Sequence, residues 1–340
     1  MKKYGLCFFL ILSISLFSQN IIRGKVFTRE NIPLSSVNIY FDGTTISTIS
    51  DDNGNFSIKY EPNANSILVI SSMGYKTEYL TEFDASKPLK IQLDVSQTML
   101  KEVVITKNEL FTREEKLGLF REFFLGKTMN AKSTIIKNEE DIRFRYDKES
   151  FTLYATAEKP LIIINNALGY KIDFELIFFE IKFNRLSIYS KDVKKNFYGG
   201  VSRFEEIANS DEIIQKREEA YQGSQIHFFR NFAKNEWGTK KFRLIKDNRS
   251  VDPDQHFKLT NEGDYVKVEV ISKQNDKNSK HAAFYDVLFD RREQSRINFF
   301  TDSFYIYKYG NNSNLDGILF SGKIAEKRVA DMLPLNFNID

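Results

Sequence analysis

The chain has 340 residues, enough for two domains with separate hydrophobic cores. Charged residues make up 28% and hydrophobic residues 41%, which is typical of a globular chain and excludes wholesale disorder. Subtracting Lys2 and Lys3, which belong to a predicted leader, from the 49 basic residues leaves 47 basic against 46 acidic residues. Nucleic-acid binding needs a basic surplus on one face, so we expect no nucleic-acid partner.

The beginning of the chain has the pattern of a secretory signal peptide. Two lysines precede an apolar run from Leu6 to Phe17 that has signal-peptide length. We therefore predict a signal peptide over residues 1–18 and export to the periplasm, the outer membrane or the cell surface. The run is too short to span a bilayer, and no other stretch approaches a membrane-spanning helix. Cys7 is the single cysteine and lies in this leader, so we expect no disulfide and no cysteine-ligated metal in the exported chain.

The next segment, from Ile21 to about Thr106, predicts short strands separated by turns. Apolar and polar residues alternate in most of these runs, and Asp51-Asp52-Asn53-Gly54 has the composition of a tight turn. The predicted strands cover residues 22–27, 37–41, 46–49, 56–60, 67–70, 89–93 and 102–105.

Several motifs of this segment occur together in one family, in the same order and spacing. They are Gly24-Lys25-Val26, Pro33-Leu34 before Val37-Asn38-Ile39, Gly43-Thr44, Asp51 to Phe56, and Ser72-Met73-Gly74-Tyr75. The segment resembles the carboxypeptidase-regulatory-like domain, a transthyretin-like Greek-key β-sandwich of secreted proteins in gram-negative bacteria. The resemblance implies a seven-stranded sandwich over residues 19–106 that serves as a spacer or docking unit and has no catalytic residues.

The remainder, residues 107–340, predicts a larger α+β domain with an extended antiparallel sheet and two or three helices. An amphipathic helix is expected over 109–126, and a second over 205–221 that continues towards Phe232. Strict alternation from Tyr170 to Phe178 predicts a strand, with a slip of the pattern near Asn184-Arg185. This region is similar to an uncharacterised domain that follows the regulatory-like module in other secreted bacterial proteins, which implies an architecture and no activity. The further predicted strands cover residues 144–154, 161–164, 181–188, 265–271, 284–289, 297–309 and 318–324.

One cluster in this region combines side chains with catalytic or ligand-binding potential. Ser224 and His227 have the residue types of a nucleophile and its base, and two arginines have the charge to hold an acidic ligand. However, Ser224 lacks a Gly-x-Ser-x-Gly elbow, and residues three apart on a helix are neighbours in any case. A structural role is the favoured interpretation. The cluster consists of Arg217, Tyr221, Ser224, His227, Arg230 and Trp237.

Other catalytic and metal-binding patterns are weak. None of the three histidines opens a His-x-x-Glu motif, so we expect no zinc carboxypeptidase site, no metal and no cofactor. The carboxylate runs Glu139-Glu140-Asp141 and Glu205-Glu206 leave a glycosidase-like pair open, since spacing in sequence does not show which carboxylates face each other. The Asp51–Asn53 run lacks the later bidentate glutamate of a calcium loop.

The segment Leu100 to Thr106 has a second interpretation. A similar Glu-Val-Val string follows this small domain in sugar-importing outer-membrane transporters and can engage the energy-coupling protein by strand addition. No plug or long barrel follows here, so the last strand of the sandwich plus a linker is the preferred interpretation.

Together these features predict a non-enzymatic exported protein that binds or scaffolds an envelope protein or glycan, in the periplasm or in association with the outer membrane. Two alternatives stay open. One is a hydrolase of envelope glycan or peptide whose carboxylates converge only in the fold. The other is an accessory of an outer-membrane TonB-dependent transporter.

Overall fold

The structure, a computed structural model, describes residues 20–60, 67–96, 110–238, 240–263, 265–271 and 282–338. Strands account for 44% of the chain and helices for 18%, which confirms the mainly β fold predicted from its aromatic and alternating sequence. The predicted signal peptide over residues 1–18 and the predicted strand at 102–105 lie outside the described residues.

The N-terminal part is a sandwich of two sheets. One sheet has the order β4-β1-β7 and the other β3-β2-β5-β6, so the chain crosses between the two sheets four times. All but one of these strands were predicted. The exception, β6, has no buried residue, which is why alternation did not reveal it. The strands are β1 (Ile21–Thr28), β2 (Asn38–Phe41), β3 (Ser47–Ile49), β4 (Asn55–Lys59), β5 (Leu68–Ser71), β6 (Glu78–Leu80) and β7 (Leu89–Leu93).

The two sheets of the sandwich share one core. In β4, Phe56 and Ile58 are buried while the residues between them face solvent, so the strand contributes a single apolar face. They pack with residues of β2 and β5 from the opposite sheet. The predicted turn before β4 is present: Asp51 accepts backbone N–H bonds from Asn53 and Asn55, and Gly54 takes the positive φ of 76° that the reversal requires.

The next part is a six-stranded antiparallel sheet covered by a helix. Strand β12 is central: β11 and β10 pair with its two halves on one side, and β13 pairs along its whole length on the other. Strand β8 extends β11, and β9 extends β10. The elements are α1 (Arg113–Phe124), α2 (Met129–Lys132), β8 (Thr134–Ile136), β9 (Ile142–Asp147), β10 (Thr152–Ala157), β11 (Leu161–Asn165), β12 (Tyr170–Phe183) and β13 (Val193–Glu206).

Helix α1 begins and ends at recognisable sequence signals. Thr112 and Glu115 form a capping box, and Gly126 follows the helix with a φ of 102°. Its buried face carries Phe120 and Phe124, which pack on the six-stranded sheet and form the centre of its core. The predicted amphipathic helix is therefore confirmed, with narrower bounds.

Two helices then follow where one long helical segment was predicted. They are α3 (Asp211–Tyr221) and α4 (Gln225–Ala233). Gly223, with a φ of 70°, separates them. Because L-residues avoid this conformation, the helix cannot run through it.

The last part builds a third hydrophobic core around α4. Three phenylalanines of α4, Phe228, Phe229 and Phe232, contact a five-stranded sheet of order β15-β14-β18-β19-β21 and a three-stranded sheet of order β16-β17-β20. The elements are β14 (Phe242–Lys246), β15 (Arg249–Ser250), β16 (Phe257–Asn261), β17 (Tyr265–Val270), β18 (Ala283–Phe289), β19 (Glu293–Phe299), β20 (Ser303–Tyr307), β21 (Ile318–Gly322) and α5 (Lys323–Glu326).

The irregularity predicted near Asn184-Arg185 is present. The register of β12 against β13 shifts between Lys182 and Phe183, where β12 ends and the connection to β13 begins. Another shift, between Leu176 and Phe178, was not predicted, and it makes Ile177 the extra residue of a β-bulge. A bulge exchanges the two faces of the strand, and Phe178 is consequently 48% exposed although the alternation predicted it to be buried.

Candidate functional site

Arg217, the first residue of the predicted cluster, binds backbone atoms of its own domain. Its side chain is 4% exposed and donates hydrogen bonds to the carbonyls of Leu168 (2.8 Å) and Ala208 (2.8 Å) and to the carboxylate of Glu206 (2.6 Å). The guanidinium also lies 4.1 Å from the ring centroid of Tyr170. These contacts join α3 to the ends of β12 and β13.

Ser224 and His227 are adjacent but are not arranged as a nucleophile and base. Ser224 is the N-cap of α4, and its Oγ accepts the backbone N–H of His227 at 3.2 Å. The imidazole Nδ1 accepts the N–H of Gly223 at 3.1 Å instead. Burial, with help from the nearby charge of Lys327, lowers the pKa of His227 to about 4, so the ring is neutral at physiological pH.

Arg230 and Tyr221 hold the C-terminal segment. Arg230 is 8% exposed and donates to the carbonyls of Tyr309, Leu335 and Phe337 at 3.2, 2.8 and 2.9 Å, respectively. Its guanidinium lies 5.3 Å from the ring centroid of Tyr221. The arginine therefore fixes the segment that contains residues 335–337 against α4.

Trp237, the last member, packs on the phenylalanines of α4. Its ring centroid is 5.1 Å from that of Phe232 and 6.0 Å from that of Phe228, and Nε1 donates to Asn235. All six residues thus have contacts that stabilise the fold. The structure brings Tyr221, His227 and Arg230 together. It places Arg217 at the ends of β12 and β13, and Trp237 against the phenylalanines of α4.

A different region, the contact between the sandwich and the six-stranded sheet, joins the parts of the chain. The loop after β2 lies along the edge of β13: Gly43 donates its N–H to the carbonyl of Ser202 at 2.7 Å, and Thr44 accepts the N–H of Phe204 at 3.0 Å. Thr44 and Arg203 form a parallel bridge. The sandwich loop therefore extends the six-stranded sheet by a short piece of strand.

An apolar group and the C-terminal segment complete this contact. Tyr40 and Val69 of the sandwich pack with Val201 of β13, and all three are less than 9% exposed. Gly43 accepts the N–H of Leu335 at 2.6 Å, and a side chain at Gly43 would collide with that of Leu335. The glycine is therefore required both by its positive φ of 70° and by the close approach.

Asp42 is a partly buried carboxyl group of the contact. Its Oδ1 accepts the N–H of Ser202 at 2.7 Å. Burial raises the pKa of Asp42 to about 6, although the N–H groups of Ser202 and Gly43 partly offset this effect. The carboxyl group therefore changes its protonation near neutral pH, while it lies between two domains.

Charged and hydroxyl side chains also join the sandwich to the six-stranded sheet. Tyr79 donates to Glu175 at 2.5 Å, and burial, together with this bond, raises the pKa of the phenol. Arg203 is paired with Asp173 and donates to Asn38 of the sandwich at 3.1 Å. The sequence contained the Gly43-Thr44 motif but no signal that its loop contacts a strand about 160 positions later.

Comparison with known proteins agrees with this architecture. The family model for the CarboxypepD_reg-like domain matches residues 22–105. These residues form a CarboxypepD_reg-like domain. The TonB-dependent receptor P39 of Formosa agariphila is 30% identical to the chain over 107 residues, which is 30% of this chain and 10% of the receptor. The chain thus matches about a tenth of that relative's length.

An exposed apolar group lies on the same face of the sheet as the CarboxypepD_reg-like domain. It consists of Ile177 and Phe178, which are 57% and 48% exposed, and the half-buried Phe197. The ring of Phe178 covers Gly199, where an added Cβ would lie 2.5 Å from it. Sequence alternation did not indicate this group, because the bulge that turns it outward has no composition signal.

The carboxylate runs that suggested a hydrolase are engaged in ion pairs. Glu139 pairs with Arg121, Glu205 with Lys171, and Glu206 with Arg217. A surface depression of about 330 Å³ is lined by one acidic residue, Asp286, whose carboxylate pairs with Arg296.

In the part of the chain that the structure describes, no three His, Cys, Asp or Glu side chains form a group that could hold a metal ion. Within the same residues, no helix is long and apolar enough to cross a bilayer.

Proposed function

We propose that the chain is an exported, non-enzymatic protein of the cell envelope that binds or scaffolds a partner in the periplasm or at the outer membrane. The contact between the CarboxypepD_reg-like domain and β13 carries this proposal. Because main-chain bonds, an apolar group and the C-terminal segment all contribute, the domain acts as an integral support of the second domain. This arrangement suits a protein that presents a binding surface of its second domain to a partner.

The side chains that were candidates for catalysis support a binding role instead. Arg217 and Arg230 direct their donors to backbone carbonyls, and Ser224 accepts a helix N–H. The exposed apolar side chains of Ile177 and Phe178 offer the type of surface that partner proteins contact.

A second candidate is an accessory of a TonB-dependent transporter. The match to the receptor of Formosa agariphila favours it, because that relative shares 107 aligned residues with the chain. In this case the partner would be an outer-membrane receptor, and the two candidates differ in the identity of the partner alone.

The test is in-cell cross-linking of the tagged full-length protein, followed by purification and mass spectrometry. We expect recovery of one defined envelope partner, and recovery of a TonB-dependent receptor would select the second candidate. Ile177→Ser with Phe178→Ser should reduce recovery, whereas Met73→Ser, at a side chain that is 94% exposed elsewhere, should not. Turnover of peptidoglycan, polysaccharide or peptide that disappears when one carboxylate is replaced would overturn the proposal.

A further inference from the structure

Strand β13 is the edge of the six-stranded sheet. Among the described residues, β12 is the one strand that pairs with it over its length. In an antiparallel pair every second residue turns both its N–H and its C=O away from the neighbouring strand. Ser202 and Phe204 do so, since they bind the sandwich loop. By the same alternation Gly200, Tyr198 and Asn196 direct their backbone groups to the outer edge.

This edge already accepts a segment from another domain. The pairing of Gly43-Thr44 with residues 202–204 occupies its C-terminal end, on the side opposite β12. The stretch Lys195–Gly200 continues the same edge in regular register, and at Lys194 the register against β12 shifts. A strand added there would therefore prolong an interface that the fold has already built.

The surface beside this stretch is apolar. Gly199 has no side chain, so the ring of Phe178 extends over β13 towards its edge. Phe197 lies on the same face as Phe178, two residues from Gly199. Side chains on one face of an added strand would contact these two rings.

The charge at this edge is positive. Lys194 and Lys195 are both exposed, and Lys191 precedes them in the connection from β12. Lys195 has a distant partner, Glu180, at 3.6 Å. Exposed lysines on an edge strand oppose its pairing with a second copy of the chain. An acidic strand would instead be attracted.

We propose that the edge Val193–Gly200 binds an extended acidic segment of a partner protein as an added β-strand, with apolar side chains over Phe178 and Phe197. Main-chain bonds to the alternate residues of the edge would supply affinity, and the lysines and the two rings would select sequence. The proposal rests on the binding function proposed above and specifies its partner class.

The test uses the full-length protein and a fluorescent peptide of about eight alternating valines and glutamates, long enough to cover such an edge. We expect saturable binding by fluorescence anisotropy, weaker at high salt, and no binding of the valine–lysine counterpart. Asn196→Pro removes one outward N–H and should weaken binding by about tenfold or more.

Charge reversal provides a second variant that keeps every backbone group. Lys194→Glu with Lys195→Glu should also weaken binding by about tenfold, whereas Lys90→Glu, on the exposed face of β7, should leave it unchanged. The proposal is overturned by absence of peptide binding, by equal binding of both peptides, or by binding that both edge variants retain. If cross-linking recovers a partner equally well with wild type and these variants, the binding function stands and the edge is not its site.

Discussion

At the residue scale, the buried side chains of Arg217 and Arg230 direct their hydrogen bonds to groups of the fold itself. Arg217 satisfies two carbonyls at bonding distances of 2.8 Å and pairs with Glu206, so that its charge is neutralised within the fold. Arg230 donates hydrogen bonds to three backbone carbonyls. Removal of either side chain would leave buried acceptors without donors.

We therefore expect Arg217→Ala to lower the free energy of unfolding by about 1–3 kcal/mol, because buried carbonyls lose their donor while Glu206 stays accessible to water. Urea unfolding followed by circular dichroism measures this loss. Lys216→Ala is the matched control on the same helix. Its exposed pair with Glu212 should contribute less than about 0.5 kcal/mol. An Arg217→Ala protein that unfolds at the same urea concentration as the wild type but no longer binds its partner would contradict the structural role.

The raised pKa of Asp42 predicts that the free energy of unfolding depends on pH. Its folded-state pKa of about 6 lies above the unfolded value, so its protonated form stabilises the fold at low pH. This stability is fully present below the unfolded pKa and is lost as pH rises through about 6.

Asp42→Asn should abolish that contribution. The unfolding free energy of the wild type, relative to the variant, should fall by up to about 3 kcal/mol between about pH 4 and pH 7. Urea unfolding of both proteins over this range measures the difference. A difference that stays constant with pH, or increases with it, would show that the carboxyl group is not buried as described.

At the element scale, the paired strands β12 and β13 determine which faces are buried. The bulge at Ile177 is accommodated because the facing positions are Gly199 and Gly200. At Gly200 an added Cβ would overlap the carbonyl oxygen of Glu175, whereas at Gly199 it would meet only the ring of Phe178.

Gly200→Ala should consequently destabilise the protein by about 1–3 kcal/mol, the usual cost of overpacking against backbone. Gly199→Ala should cost less, since a ring can move. Gly118→Ala in α1, where nothing lies within 4 Å of the new Cβ, should instead stabilise by about 0.5–1 kcal/mol. Thermal unfolding of the three variants gives the order, and a reversed order of the two strand variants would contradict the geometry.

The sequence was informative where local chemistry determines an element. The apolar periodicity up to Gly126 predicted α1, and Asp51 to Gly54 predicted the turn before β4. By contrast, β6 and β13 were not predicted. The residues of β6 are all at least partly exposed, and β13 contains partly exposed glycines and exposed lysines, so neither strand shows a clear alternation of apolar and polar residues. The positions of both strands depend on the strands with which they pair.

The candidate cluster was predicted in composition but not in arrangement. Ser224 as an N-cap follows from local sequence, since the cap bonds a residue three positions later. The acceptors of Arg230 lie 79 to 107 positions away, which no local pattern encodes. The proposed edge was missed for the same reason, as an edge is defined by the absence of a neighbour in the folded sheet.

At the scale of the whole molecule, Val201 should couple the CarboxypepD_reg-like domain to the second domain. It is 4% exposed and packs with Tyr40 and Val69. Val201→Asp would bury a charge in this contact, which is unfavourable by several kcal/mol. We expect calorimetry to show separate transitions for the two parts of the variant and one transition for the wild type.

Val95→Asp is the control for the same substitution, because Val95 is 64% exposed. It should leave the calorimetric profile unchanged. Separate transitions already present in the wild type would show that the contact does not couple the domains.

The contact between Thr45 and Asn336 spans 291 positions of the chain, and it has a consequence for synthesis. The sandwich is synthesised long before the segment that contacts its loop. Contacts of such long separation form late, because much of the chain between them must be ordered first. The contact can therefore form only after synthesis has passed Asn336. Chains interrupted before Leu335 would lack this contact and would expose the loop to proteases.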